Sequence, residues 1–166
     1  MRPVVARVDW DRAKTHGENM MDFDIAVKMH VYRTIAATTR APTIAQVAQT
    51  LECTVEEVEE AFQRLFKKRL LVLEPDTSEI RMAPPFSAVE TSFRVLVDGE
   101  SYFANCVWDA LGVAAALKRD VDVAATCGDC GQPMSMQVRR GAVVPEPWAV
   151  HFAVPAAHWW DDIVFT

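Results

Sequence analysis

Two reciprocal helix starts follow one another closely in this chain: Thr43 with Gln46, then Thr54 with Glu57. In each pair, the threonine and the residue three positions on can bond each other's backbone N–H, satisfying donors that a helix start leaves unpaired. The first box predicts a short helix through Leu51. The second opens a helix with Val55, Val58, Ala61, Phe62 and Leu65 on one face and an acidic face carrying Glu56, Glu57, Glu59 and Glu60. Upstream, from Asp22, the residues Phe23, Ile25, Ala26, Met29, Val31, Tyr32, Ile35 and Ala36 put apolar side chains on one face and predict an earlier helix, which Ala41-Pro42 ends. Downstream, LLVLEPDTSEIRMA places two apolar runs around Pro75-Asp76-Thr77-Ser78, a hairpin signature. Three helices and a hairpin predict a winged-helix-like unit over residues 22–83. Before it, residues 1–21 read as a loose arm broken by Pro3 and Gly17.

Pro84-Pro85 marks the junction to a second part, residues 84–166. There SFRVLVDGESYFANC alternates around Asp98-Gly99, a dipeptide suited to a tight hairpin turn. VWDALGVAAALKR reads as a helix, and VDVAATC, MSMQVRR, WAVHFAV and DIVFT read as short strands. The expected fold class is α+β, a helical domain followed by a small mixed β-sheet/helix domain. With 166 residues and 51% hydrophobic content, the chain has material for one medium core or two small ones.

Charge narrows the partners. A formal net charge of -6 disfavours nucleic acid, which is gripped by concentrated Lys and Arg. On a winged helix the third helix would bring its glutamates to the phosphates, so DNA is not the expected partner, and a scaffold or homodimer role is. Lys67, Lys68 and Arg69 are the residual case for DNA, but they equally suit a helix C-terminus. The first residues, MRPVVARVDWDRAK, hold no apolar stretch long enough for a signal peptide or membrane span, so a cytoplasmic protein with four reduced cysteines is expected.

Cys106 stands where a strand passes into a helix, and Asp109 follows on the same helical face. A helix N-terminus favours the thiolate, and a neighbouring carboxylate opposes it, so the pair suits a proton that moves between them. A buried cysteine beside a capping aspartate fits the spacing equally well. Cys127 and Cys130 form CGDC, a turn that can present two sulfurs to one soft metal or hold a structural zinc. Without a second such pair a closed zinc site is only weakly supported, and a redox dithiol is the other reading. Cys53 reads as a small core residue. His151, His158, Trp159, Trp160, Asp161 and Asp162 read either as core closure with acids in water or as the wall of an apolar pocket.

Around SYFANCVWDALGVAAALKRDVDVAATC the sequence resembles the organomercurial (alkylmercury) lyase family. The pattern is aromatic, Ala, any residue, Cys, two residues, Asp, then a small-residue helix. The resemblance implies protonolysis of carbon–mercury bonds, giving a hydrocarbon and Hg(II), with Cys106 as mercury-binding thiolate and Asp109 as proton donor. It implies no required cofactor, external thiols that remove the product, and a mercuric reductase as the partner that accepts Hg(II). A further family cysteine with a structural role falls on Cys127, whereas Cys130 is additional. The family's second catalytic cysteine falls within HWWDDIVFT, which has none. Because the sequence stops at Ile163-Val164-Phe165-Thr166 in an apparent strand, the expectation is a truncated chain. Its missing soft ligand, a cysteine or a recoded selenocysteine, would lie just after Thr166. The competing expectation is a non-catalytic protein that binds or senses Hg, Zn or Cu through Cys106, Cys127 and Cys130.

Overall fold

A computed structural model describes residues 18–164. Helix α1 spans Glu18–Thr38, α2 Ile44–Leu51 and α3 Val55–Lys67. Both capping boxes form, with Thr43 accepting from the Gln46 amide and Thr54 from the Glu57 amide while each partner side chain reaches back. Helix α1 starts before Asp22, so Glu18–Met21 are helical; the rest of the expected arm, residues 1–17, lies outside the described residues. Its buried stripe is Asp24, Val27, Val31 and Ile35, whereas Ile25 and Met29 face solvent. Apolar residues on several sides of α1 hid that face. The polar Asp24 fixes it, meeting Arg64 Nε at 2.9 Å and Lys68 Nζ at 3.0 Å from α3. Val55 is likewise exposed, while Val58, Ala61, Phe62 and Leu65 are buried as the stripe requires.

Strands β1 (Val72–Leu73) and β2 (Ile80–Ala83) pair antiparallel across the expected turn. The sheet continues through β3 (Phe86–Ser87), β4 (Phe93–Val97), β5 (Glu100–Ala104), β6 (Val121–Thr126), β7 (Pro133–Arg139) and β8 (Ala142–Val143). Its eight strands run in the order β1-β2-β3-β5-β4-β6-β7-β8, antiparallel throughout. The pairing of β2 with β3 carries one sheet across the Pro84-Pro85 corner. Asp98 and Gly99 both have positive φ, +50° and +90°, the geometry that a two-residue hairpin turn matching strand twist demands. WAVHFAV and DIVFT were expected as strands. In the structure residues 148–154 form no strand, and Asp161–Val164 are turn and bend. Prolines at 145, 147 and 155 explain the first, because each removes a ladder donor.

Helix α4 (Val107–Leu117) packs on the sheet through Ala110, Val113 and Ala114. At Gly112 an added Cβ would sit 2.9 Å from Pro85 Cβ. The same corner is held from the other side, where the Tyr32 hydroxyl donates to the Pro84 carbonyl at 2.8 Å. Tyr102 on β5 also donates to the Ala36 carbonyl at 2.9 Å, joining the sheet to α1. Alanine normally gains about 1 kcal/mol over glycine in a helix, but overpacking against a rigid ring costs about 1–3 kcal/mol. Gly112→Ala is therefore expected to lower stability by about 1 kcal/mol, read as a lower urea midpoint with an unchanged slope.

Candidate active site

The site forms where β5 runs out. Ala104 ends the strand, and its carbonyl accepts from the Thr91 hydroxyl at 2.5 Å, which pins the chain as it leaves the sheet. Asn105 and Cys106 cross to α4, with Cys106 as its N-cap in extended conformation (φ −148°, ψ −179°). From that position Cys106 Sγ lies 3.7 Å from Asp109 Oδ2, the thiol donating to the carboxylate. The same-face spacing thus becomes a contact.

Burial acts on both groups. It pushes the Cys106 thiol up, and the Asp109 charge adds to this. The Asp109 and Trp108 amides oppose the shift, though Cys106 makes no side-chain capping hydrogen bond. Burial also pushes Asp109 up to about 6, with the Cys106 hydrogen bond pulling the other way. Tyr32 rises to about 12, chiefly through burial and then through the Asp109 charge. The proton shared by Cys106 and Asp109 is thus held in an environment that penalises either anion.

A cavity of about 290 Å³ opens over the thiol. Cys106 lines it together with Phe93, Val107, Phe152, Trp159, His151 and Val164, whereas Asp109 is not in its wall. The segment after β8 builds most of that wall. Asn105 Nδ2 donates to the Ile163 carbonyl at 3.3 Å, and Trp159 Nε1 to the Val154 carbonyl at 2.8 Å. Phe152 and Trp159 pack with ring centroids 5.1 Å apart and planes tilted by 45°, and Arg69 lies over Trp160 at 5.6 Å. Of the expected wall residues, His151 and Trp159 reach the cavity. His158 instead pairs with Asp161 at 2.9 Å on the exposed side. A larger cleft of about 670 Å³ lies beside Thr39, Arg40, Glu79 and Arg94, but no cysteine lines it, so volume alone does not locate this chemistry.

The other cysteines lie elsewhere. Cys53 is half-buried against the core. Cys127 and Cys130 occupy the turn between β6 and β7, half-buried and exposed respectively. Among the described residues, no group of three or more His, Cys, Asp or Glu is placed to hold a metal ion. No described helix is long and apolar enough to cross a membrane. The basic cluster is largely engaged, Lys68 with Asp24 and Arg69 with Trp160. Asn105, Tyr32 and Thr91 did not stand out in the sequence, because their partners are backbone carbonyls brought near only by the fold.

A half-buried thiol–carboxyl pair at a helix start, beside a cavity lined mainly by apolar side chains on an antiparallel α+β scaffold, has the chemistry to bind a soft metal or to pass a proton. The family model described as alkylmercury lyase (MerB) matches residues 86–166, just under half of the chain, and that part is similar to the family. Among solved structures, the crystal structure of the mercury-bound form of MerB2 is similar in fold. Its TM-score is 0.60 at 21% sequence identity, covering 82% of this chain and 64% of that one. The chain therefore spans just under two thirds of that relative's length. No curated protein matches the sequence.

Asp109 carries a sign-definite prediction. Its folded pKa of about 6 exceeds the ordinary value near 3.9, so the folded state binds more protons between those limits. Stability should fall as pH rises from about 4 through about 6 and stay lower above. Asp109→Asn is expected to stabilise by on the order of 2 kcal/mol at neutral pH and little near pH 4, compared by urea midpoints at both.

Proposed function

We propose that this protein cleaves carbon–mercury bonds in organomercurials by protonolysis, with Cys106 as mercury-binding thiolate and Asp109 as proton donor. The observation that carries this reading is the 3.7 Å contact between Cys106 Sγ and Asp109 Oδ2 at the foot of an apolar cavity. The match of residues 86–166 to the alkylmercury lyase family supports it.

The chemistry follows from the pair. Thiolate sulfur outcompetes oxygen and nitrogen for soft mercury. When an organomercury cation meets Cys106, an S–Hg bond replaces the S–H bond and the proton passes to Asp109. A raised pKa lets that carboxyl hold the proton near neutrality and return it. Protonation of the mercury-bound carbon then breaks the C–Hg bond and releases the hydrocarbon. A small thiolate from solution becomes the second sulfur ligand, leaving Asp109 ionised and Hg(II) between two sulfurs. The cavity's aromatic and aliphatic lining suits an apolar organic group. In this reading the three helices with β1 and β2 are a winged-helix-like scaffold. The exposed Glu56, Glu59 and Glu60 on α3 disfavour DNA, so the competing sensor reading lacks a docking face.

The test is methane release from methylmercury by the reduced protein in excess small thiol. Release above background is expected, with Cys106→Ser abolishing it and Asp109→Asn slowing it by about 10²- to 10⁴-fold. Equal rates in the wild type and both variants would refute the assignment.

A further inference from the structure

The turn between β6 and β7 plays no part in the cleavage assigned to Cys106 and Asp109, yet it is built around two sulfurs. The Cys127 amide donates to the Gln132 carbonyl at 2.9 Å and the Gly131 amide to the Cys127 carbonyl at 3.0 Å. Gly131 takes φ +71°, open to glycine and strained for other residues. Within this closed turn, Cys127 and Cys130 stand three residues apart, the first half-buried and the second exposed. A turn closed by its own backbone bonds, with a thiol at each of two positions three apart, makes a bidentate seat for a thiophilic ion. A structural zinc site takes four ligands, and among the described residues no third His, Cys, Asp or Glu makes a cluster here.

The turn also has a defined position relative to Cys106. Strands β5 and β6 flank β4, with Phe93 opposite Ala104 and Arg94 opposite Ala124. Both strands therefore finish at the end of the sheet where β4 begins. Cys106 and Cys127 leave that same end from strands two spacings apart, roughly 10 Å.

We propose that Cys127 and Cys130 form a second soft-metal site that binds Hg(II) as a bis-thiolate and receives it from Cys106. The binding stands on the turn alone; the receiving role rests on the lyase reading. In the transfer, two S–Hg bonds form at Cys127 and Cys130, while mercury's bonds to Cys106 and to the small thiol break. The two protons lost by the turn thiols go to the two departing sulfurs, so charge and oxidation state are unchanged. Two sulfurs on one turn outbid separate monothiols through effective concentration.

The test begins with inorganic Hg(II), which bypasses cleavage. Reduced Cys106→Ser protein is loaded in excess small monothiol, gel-filtered, and probed by mercury content and by alkylation mapping. One equivalent should be retained, with Cys127 and Cys130 protected and Cys53 still alkylated. Adding either Cys127→Ser or Cys130→Ser should weaken retention by about 10²-fold or more. Retention unchanged in both, or turn thiols alkylated as fast with mercury as without, would overturn the site; so would zinc displacing mercury from it. Circular dichroism of each variant checks that the fold persists. In a second arm, wild-type protein is mapped after a single turnover of methylmercury. Mercury on the turn with methane released supports transfer, whereas methane released with no mercury there overturns it. No methane, with Hg(II) still captured by the turn, would defeat the lyase reading and the receiving role while upholding the binding site.

Discussion

The contact of α4 with the Pro84-Pro85 corner sets the geometry on which the site depends. Gly112 removes the side chain that would meet the Pro85 ring, so the helix lies close. Tyr32 holds the same corner through the Pro84 carbonyl, and Tyr102 ties β5 to α1. Helix α4 is therefore held by the sheet and by the corner, and the corner and the sheet are in turn bonded to the first helix. Close packing of this kind transmits small displacements, because interiors have few voids to absorb them.

Burial does the chemical tuning at that first turn. The same exclusion of water raises Cys106 and Asp109 together, so the proton rests on sulfur while the carboxyl is brought closer to accepting it. Phe152, Trp159 and Val164 line the cavity beside Cys106, yet they come from a segment without strand pairing. The Cys106–Asp109 pair is local in sequence, and the wall beside its thiol is supplied from far along the chain.

That division explains what the sequence revealed. The capping boxes, the Asp98-Gly99 turn and the Cys106–Asp109 spacing are local devices, and each was readable because the cause and the effect lie within a few residues. The stripe of α1 was misassigned because apolar residues surround the helix and the deciding partner of Asp24 is Arg64, far along the chain. WAVHFAV alternates like a strand, but its flanking prolines and its role as a cavity wall prevailed over the pattern. The cavity itself was only partly legible. The aromatic cluster suggested a wall, while the tether from Asn105 to the Ile163 carbonyl exists only once the chain has folded back.

The cation–π contact between Arg69 and Trp160 has a consequence beyond packing. Arg69 follows the end of α3, with φ +60°, and Trp160 adjoins the Trp159 that lines the cavity. The helical unit and the cavity wall therefore share a common free energy, of about 0.5–1 kcal/mol from this contact. Thermodynamic reciprocity makes that coupling run both ways. Loss of either member, Arg69 or Trp160, would untie the wall from the helical unit without touching a residue that lines the cavity.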